Sequence, residues 1–220
     1  MAGSALREAV RNFLPLYFVA DPSCCGGRDI VEIILSAVRG GATMVQLRNK
    51  HDPKPLIVAQ AALLAELLKG ENIPFLVNDY PEIARDVEAD GVHIGQGDMS
   101  AAAARAILGE DKIIGLTAFT DAQISAVDPH IVDYIGTGPF FPTQTDKGKP
   151  VLGAARFSEL AALSPVPVVG IGGITSENAA EVLKAGADGV AVMRAISESA
   201  DPMVATQHLR DAVQHDRLAK

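Results

Sequence analysis

The chain has 220 residues, a length that suits one α/β barrel, and 48% of them are hydrophobic, enough for a sizeable core. A formal net charge of −8, aromatics at 5% and the absence of Trp argue against nucleic acid and anionic membrane surfaces as partners. Cys24 and Cys25 are adjacent, so a mutual disulfide would be strained, and no apolar run reaches signal-peptide or membrane-span length; a soluble protein in a reducing, cytoplasmic setting is expected.

Taken in order, residues 5–13 read as a short amphipathic helix leading into a first strand over 16–20. Asp21 and Pro22 break that strand. Asp29 caps a helix in which Ile30, Ile33, Ile34, Ala37 and Val38 recur at helical spacing, and Gly40 and Gly41 stop it. The second strand covers 44–47. Pro53 starts a helix that carries Leu56, Leu63, Leu64, Leu67 and Leu68. The third strand covers 75–77, a short helix 81–87, and the fourth strand 91–94. Ser100 caps an Ala-rich helix ending at Gly109, and Thr120 caps another after a fifth strand at 113–116. A sixth strand at 134–138 runs into a long loop before a helix at 156–163.

Residues 166–194 then form a strand, Gly turn, helix and strand unit. The seventh strand is placed at 166–171, Thr175 or Ser176 as the cap of a helix with Glu177 in its first turn, and the eighth strand at 189–193. A last helix covers about 202–213. Eight strand–helix alternations without a linker imply a closed (β/α)8 TIM barrel, one domain over residues 1–220. The segments GGATMVQL, EADGVHIG and GADGVAVM share a turn, a polar residue and an apolar strand, an echo that fits a repeated helix-to-strand join.

In such a fold the chemistry sits where strands run out into the following loops. The polar residues cluster there: Gln46, Arg48, Lys50, Asn78, Asp79, Asp98, Thr117, Thr143, Thr145, Gly173 and Arg194. On an extended strand Gln46, Arg48 and Lys50 point the same way, and two cations with an amide suit a phosphate or pyrophosphate; the alternative is a solvated pair. Asp79 and Asp98 end neighbouring strands, about 4.8 Å apart. They suit a Mg²⁺ completed by phosphate oxygens, the alternative being salt bridges to Arg or Lys. Asn78 suits a ring nitrogen, an amine or the metal shell. Gly172, Gly173, the amides near Met193 and Arg194, and the Thr143 and Thr145 hydroxyls make a second anion site. Two such sites imply two phosphorylated substrates, or one ligand phosphorylated at both ends.

The motifs QLRNK, VND, HIGQGD, GPFFPTQT, VGIGGIT and AGADGVAVM, in this order over residues 16–210, resemble the thiamine phosphate synthase family. The resemblance implies a Mg²⁺-dependent transferase. It joins 4-amino-5-hydroxymethyl-2-methylpyrimidine diphosphate to 4-methyl-5-(2-phosphoethyl)thiazole, or its carboxylated form, giving thiamine phosphate and pyrophosphate. By position it implies Gln46, Arg48, Lys50, Asn78 and Thr117 around the pyrimidine diphosphate, with Asp79 and Asp98 as metal ligands. Thr143, Thr145, Gly173, Met193 and Arg194 would meet the thiazole phosphate. The family's Glu in the second-strand motif is Asn49 here, its His after the fifth strand is Phe119, a frequent Ser is Arg194, and the Lys after the second Thr is Asp146. Lys147 follows and is expected to take that lysine's role beside Arg48 and Lys50 in catalysis.

The expected partners are small phosphorylated molecules, with a homodimer left open by the sequence. The rival readings are a thiazole tautomerase, a non-catalytic sensor of thiamine precursors, and a phosphosugar isomerase or epimerase using Asp79, Asp98 and His93. His93 lies inside an apolar strand and is read as structural.

Overall fold

Eight short apolar runs pair in sequence order, each parallel to the next, and the last closes onto the first. The strands of this computed structural model are β1 (Leu16–Ala20), β2 (Met44–Leu47), β3 (Phe75–Asn78), β4 (Gly91–Ile94), β5 (Ile113–Thr117), β6 (Tyr134–Thr137), β7 (Val168–Ile171) and β8 (Gly189–Val192). Closure pairs Leu16 with Val190 and Phe18 with Val192. The structure describes residues 9–145, 148 and 150–218. The lead-in helix expected at 5–13 therefore lies partly outside the described residues; its described turn is α1 (Val10–Phe13).

The crossover helices are α2 (Ile30–Gly40), α3 (Lys54–Leu68), α4 (Pro81–Asp86), α5 (Ala101–Leu108), α6 (Asp121–Ser125), α7 (Gly153–Leu163) and α8 (Ala179–Lys184); α9 (Arg194–Ser197) and α10 (Pro202–Leu218) follow β8. Three caps stand where the sequence put them. Asp29 accepts the Val31 N–H at 2.9 Å, Ser100 that of Ala103 at 3.2 Å and Thr120 that of Gln123 at 3.2 Å. Each satisfies a donor that a helix leaves unpaired in its first turn.

The cap expected at Thr175 or Ser176 is not formed. The Asn178 side chain accepts from Thr175 N–H at 2.8 Å and donates to the Gly173 carbonyl at 3.0 Å, which holds 173–178 as a turn, and α8 starts only at Ala179. β7 also starts two residues later than expected, and α7 begins at Gly153, three residues early. The 3-10 turn Pro22–Cys24 and α9 are additions that periodicity does not reveal.

Alternation along each strand sorts the core into two layers. Leu16, Phe18, Val45, Leu47, Val77 and Val92 face the helices, packing with Ile33, Ile34, Leu64 and Ile83 in one cluster. Tyr17, Val19, Met44, Leu76, Ile113, Tyr134, Val169 and Ala191 face inward as a second cluster, which Val10 and Leu14 of the lead-in join. Leu14 is fully buried, and its carbonyl lies so close to Gly189 that a side chain there would collide with it.

The entry to the strands carries a fourfold device. Thr43, Asp90, Asp133 and Asp188 each precede an even-numbered strand. Their side chains accept the N–H of Leu16, Phe75, Ile114 and Val168 on the preceding odd strand, at 2.9, 2.9, 2.7 and 2.8 Å. Their own N–H groups donate to the carbonyls of those same residues at 2.7–2.8 Å. Each residue thus grips both backbone groups of one neighbour, which accounts for the polar residue in the sequence echo. Arg105 adds a buried brace, bonding the Gly109, Lys112 and Ile131 carbonyls and Asp133.

Asp90→Ala leaves the Phe75 N–H without its acceptor and is expected to lower stability by about 1–3 kcal/mol in denaturant unfolding. Asp90→Asn, which retains an oxygen, should lose less; equal losses in the two variants would contradict the grip.

Candidate active site

The carboxyl ends of the strands surround a cavity of about 780 Å³. All the expected site residues among those described line it: Gln46, Arg48, Lys50, Asn78, Asp79, Asp98, Thr117, Thr143, Thr145, Gly173, Met193 and Arg194. Lys147 and Asp146 lie outside the described residues.

One side of the mouth is built by β2, β3 and β4. β2 ends at Leu47, so Arg48 and Lys50 stand on the following loop rather than on an extended strand. They converge through their partners instead. The Arg48 guanidinium forms an ion pair with the buried Asp21 carboxylate at the end of β1, and the Arg48 N–H donates to Ala20 at 2.8 Å. Asp21 is fixed in turn by the Ser23 N–H at 2.9 Å and the Ser23 hydroxyl at 2.6 Å. Sequence reading treats Asp21 only as a strand breaker; its position one residue past β1 is the signal that could have found it.

Lys50 Nζ lies 2.9 Å from Asp79 Oδ2, so the salt-bridge alternative is realised for this carboxylate. Asp79 adopts a left-handed backbone (φ 66°), and its N–H donates to the His93 carbonyl at 2.9 Å. Burial raises the Asp79 pKa; Lys50 opposes that shift and the neighbouring Asp98 adds to it. Asp98 accepts the Gly95 N–H at 2.7 Å across a tight turn.

A half-buried carboxyl beside a second carboxylate is a place that favours further positive charge. The described residues contain no group of three or more His, Cys, Asp or Glu able to hold a metal ion by themselves. Two carboxylates without a protein cage fit a Mg²⁺ that takes its remaining ligands from water and phosphate oxygens.

Asn49, where the resemblance implies a Glu, turns away from the cavity. Its amide N–H groups donate to Asp52 at 2.8 Å and Gln60 at 2.9 Å, and its oxygen accepts from the His51 and Asp52 backbones.

The opposite side is built by β6, β7 and β8. Gly172 and Gly173 turn the chain with φ of 100° and 67°, and a Cβ at Gly173 would lie 2.5 Å from the Pro142 carbonyl. Only glycine is at ease there. Arg194 Nε donates to the Thr145 hydroxyl at 3.1 Å, and its guanidinium also pairs with Glu198. Arg194 therefore ties the loop after β6 to the end of β8. Met193 presents its sulfur to Cys24 and Thr145.

The floor of the cavity includes His93. It lies in β4, but its ring faces the cavity, with Nδ1 2.9 Å from the Tyr134 hydroxyl and Nε2 2.9 Å from the Thr117 hydroxyl. Burial lowers its pKa to about 4, so the ring is neutral near pH 7. Tyr17 and Tyr134 complete the floor and escape sequence reading, because each sits in an apolar run that gives no sign of which side faces inward.

The sequence profile of the family described as thiamine monophosphate synthase matches residues 16–196. A thiamine-phosphate synthase of Bacillus licheniformis is 41% identical over 212 residues, which span 94% of each chain. Another, of Laribacter hongkongensis, is 43% identical over 196 residues, 88% of this chain and 92% of the relative. Among solved structures, thiamine phosphate pyrophosphorylase from Pyrococcus furiosus superposes with a TM-score of 0.85 at 34% identity, covering 94% of this chain and 98% of the other. A 3-hexulose-6-phosphate synthase, at 18% identity and a TM-score of 0.66, shares the fold alone. With a family match that runs from β1 into α9, and relatives that align over nearly their whole length, the chain belongs to the thiamine monophosphate synthase family.

Proposed function

We propose that the chain condenses 4-amino-5-hydroxymethyl-2-methylpyrimidine diphosphate with 4-methyl-5-(2-phosphoethyl)thiazole, or its carboxylated form, to thiamine phosphate and pyrophosphate. The observation that carries this reading is one cavity with two anion-seeking sides, Arg48 and Lys50 facing Gly173, Thr145 and Arg194 across it. Family membership supplies the identity of the substrates.

In the reaction the bond between the pyrimidine methylene carbon and the diphosphate oxygen breaks. Its electron pair leaves on pyrophosphate, and the thiazole nitrogen forms the new C–N bond; the carboxylated thiazole also loses CO₂. Arg48, pre-oriented by Asp21, and Lys50 bind the departing diphosphate, and Lys147 would take the role of the family's lysine in that binding. Asp79 and Asp98 would hold Mg²⁺, whose charge would help neutralise that leaving group.

The walls of the cavity exclude water from the electron-poor methylene while the glycines that follow β7 orient the thiazole phosphate. A protein nucleophile is not required. The substrates are small phosphorylated molecules and the expected setting is cytoplasmic; among the described residues no helix is long and apolar enough to cross a membrane. A homodimer would need an apolar face such as that of α3, where Leu56 and Leu63 are exposed.

Turnover with both substrates and Mg²⁺ should yield thiamine phosphate. Isomerisation of the thiazole alone would point instead to a tautomerase, and binding without turnover to a sensor. Arg48→Ala should lower kcat by about 10²–10³-fold, the usual scale for removing a pre-oriented charge donor. Asp98→Ala should abolish Mg²⁺-dependent turnover while sparing the fold. Lys147→Ala should also cut turnover sharply, and a rate like that of the unmodified protein would remove Lys147 from the machinery.

A further inference from the structure

The polar side chains on the cavity floor form one unbroken hydrogen-bonded chain through the barrel interior. The Gln46 amide donates to the Tyr17 hydroxyl. The Tyr17 and Tyr134 hydroxyls lie 2.9 Å apart, Tyr134 is 2.9 Å from His93 Nδ1, and His93 Nε2 is 2.9 Å from Thr117 Oγ1. The strands contributing are β2, β1, β6, β4 and β5, so the chain crosses the barrel rather than following its sheet.

Space is reserved for it. A Cβ at Gly115 would lie 2.2 Å from Tyr134 Cζ, and one at Gly136 would lie 3.2 Å from His93 Cε1. The rings also support one another, Tyr17 meeting Tyr134 edge-on at 5.9 Å and His93 tilted against Tyr134 at 5.6 Å.

Counting protons gives the chain a direction. Each hydroxyl has one proton to donate, and a neutral imidazole has one. The Tyr17 oxygen already accepts from Gln46, and among the described residues its own proton meets only the Tyr134 oxygen. Leaving a buried hydroxyl proton without an acceptor is costly. Tyr17 therefore donates to Tyr134, and Tyr134 to His93 Nδ1. That places the imidazole proton on Nε2, which donates to Thr117 Oγ1. Thr117 Oγ1, having accepted from Nε2, keeps its own proton, which meets no other partner among the described residues and is left for the cavity that Thr117 lines. At the other end Gln46 spends one amide N–H on Tyr17 and keeps its second N–H and its oxygen for other partners.

We propose that Tyr17, Tyr134 and His93 are positioning residues that set Thr117 as a hydrogen-bond donor on the cavity floor. The floor then selects a heteroaromatic ring that presents an unprotonated ring nitrogen to Thr117. A ring that turns a protonated N–H to the same place sets donor against donor and is rejected. The identity of the ring rests on the function proposed above; the proton order does not.

The test is nitrogen NMR of protein carrying ¹⁵N-histidine, with the His93 signals among the five histidines identified by their loss in His93→Gln. A protonated Nε2 and a bare Nδ1 are expected. The opposite tautomer, or an even mixture, overturns the proposal.

Kinetics supply the second arm. Tyr134→Phe and Thr117→Val should each raise KM for the pyrimidine diphosphate roughly tenfold, the loss of about one hydrogen bond. KM for the thiazole phosphate should stay unchanged, and Thr117→Ser should restore the original value. An equal rise in both KM values would show a merely structural role and defeat the idea. If the protein turns over neither substrate, the proposed function fails, while the tautomer of His93 still decides the proton order. The same holds if Tyr134→Phe does not fold.

Discussion

Closing eight strands into a barrel sends every second side chain into a narrow interior, and the rest of this molecule follows from how that interior is filled. Near the strand entries the filling is apolar: Leu14, Met44, Leu76 and Ile113 leave no room for water. Towards the strand exits it becomes polar, with Tyr17, Gln46, His93, Thr117 and Tyr134. Polar groups there are poorly hydrated and must bond one another. The interior therefore carries a connected network that floors the cavity.

A second consequence concerns charge. The chain is acidic overall, at −8, yet its proposed substrates are phosphorylated. The cations at the cavity mouth are each held by a carboxylate: Arg48 by Asp21, Lys50 by Asp79 and Arg194 by Glu198. These pairs keep the cations from repelling one another before a ligand arrives and fix long side chains that would otherwise roam. The pairs differ in burial. Asp21 is sealed beneath Arg48 and stays with it, whereas Glu198 is about half exposed, so Arg194 can exchange it for a phosphate more readily. The first arrangement suits rigid positioning of a diphosphate; the second suits a contact that an arriving anion can replace.

Much of the fold was legible because its signals are local. Asp29, Ser100 and Thr120 each precede a helical run by one residue, and each caps it. Thr175 and Ser176 offered the same signal and failed, because Asn178, already next to the helix, took the Thr175 N–H and the Gly173 carbonyl for itself. Competition between nearby side chains is not visible in spacing alone. The site was legible where polar residues end strands, as with Asn78, Asp79 and Asp98. It was obscured inside the strands. A strand buried on both faces reads as a continuous apolar run, so nothing in LYFVA or DGVHI marks Tyr17 or His93 as facing the cavity rather than the helices. Asp21 was missed for a different reason: its partner, Arg48, lies 27 residues away on the next strand's loop.

The two ends of the barrel also differ in how the chain uses repetition. At the entry end one contact recurs four times, from Thr43, Asp90, Asp133 and Asp188, always linking an even strand to the odd strand before it. At the exit end no such contact recurs among the described residues; Arg48, Asp98, Thr117 and Gly173 each do different work after or on different strands. A barrel registered at its entry end needs little from its exits, since the backbone pairing already fixes where each strand stops. The exits are then free to hold groups that are costly to the fold, such as the left-handed Asp79 beside a second carboxylate. Thr43 sharpens the point, because a neutral hydroxyl makes the same two-way grip as the three aspartates. What the repeat requires is an acceptor of short reach, not a charge, and the charges of the molecule that do matter for chemistry are gathered at the other end.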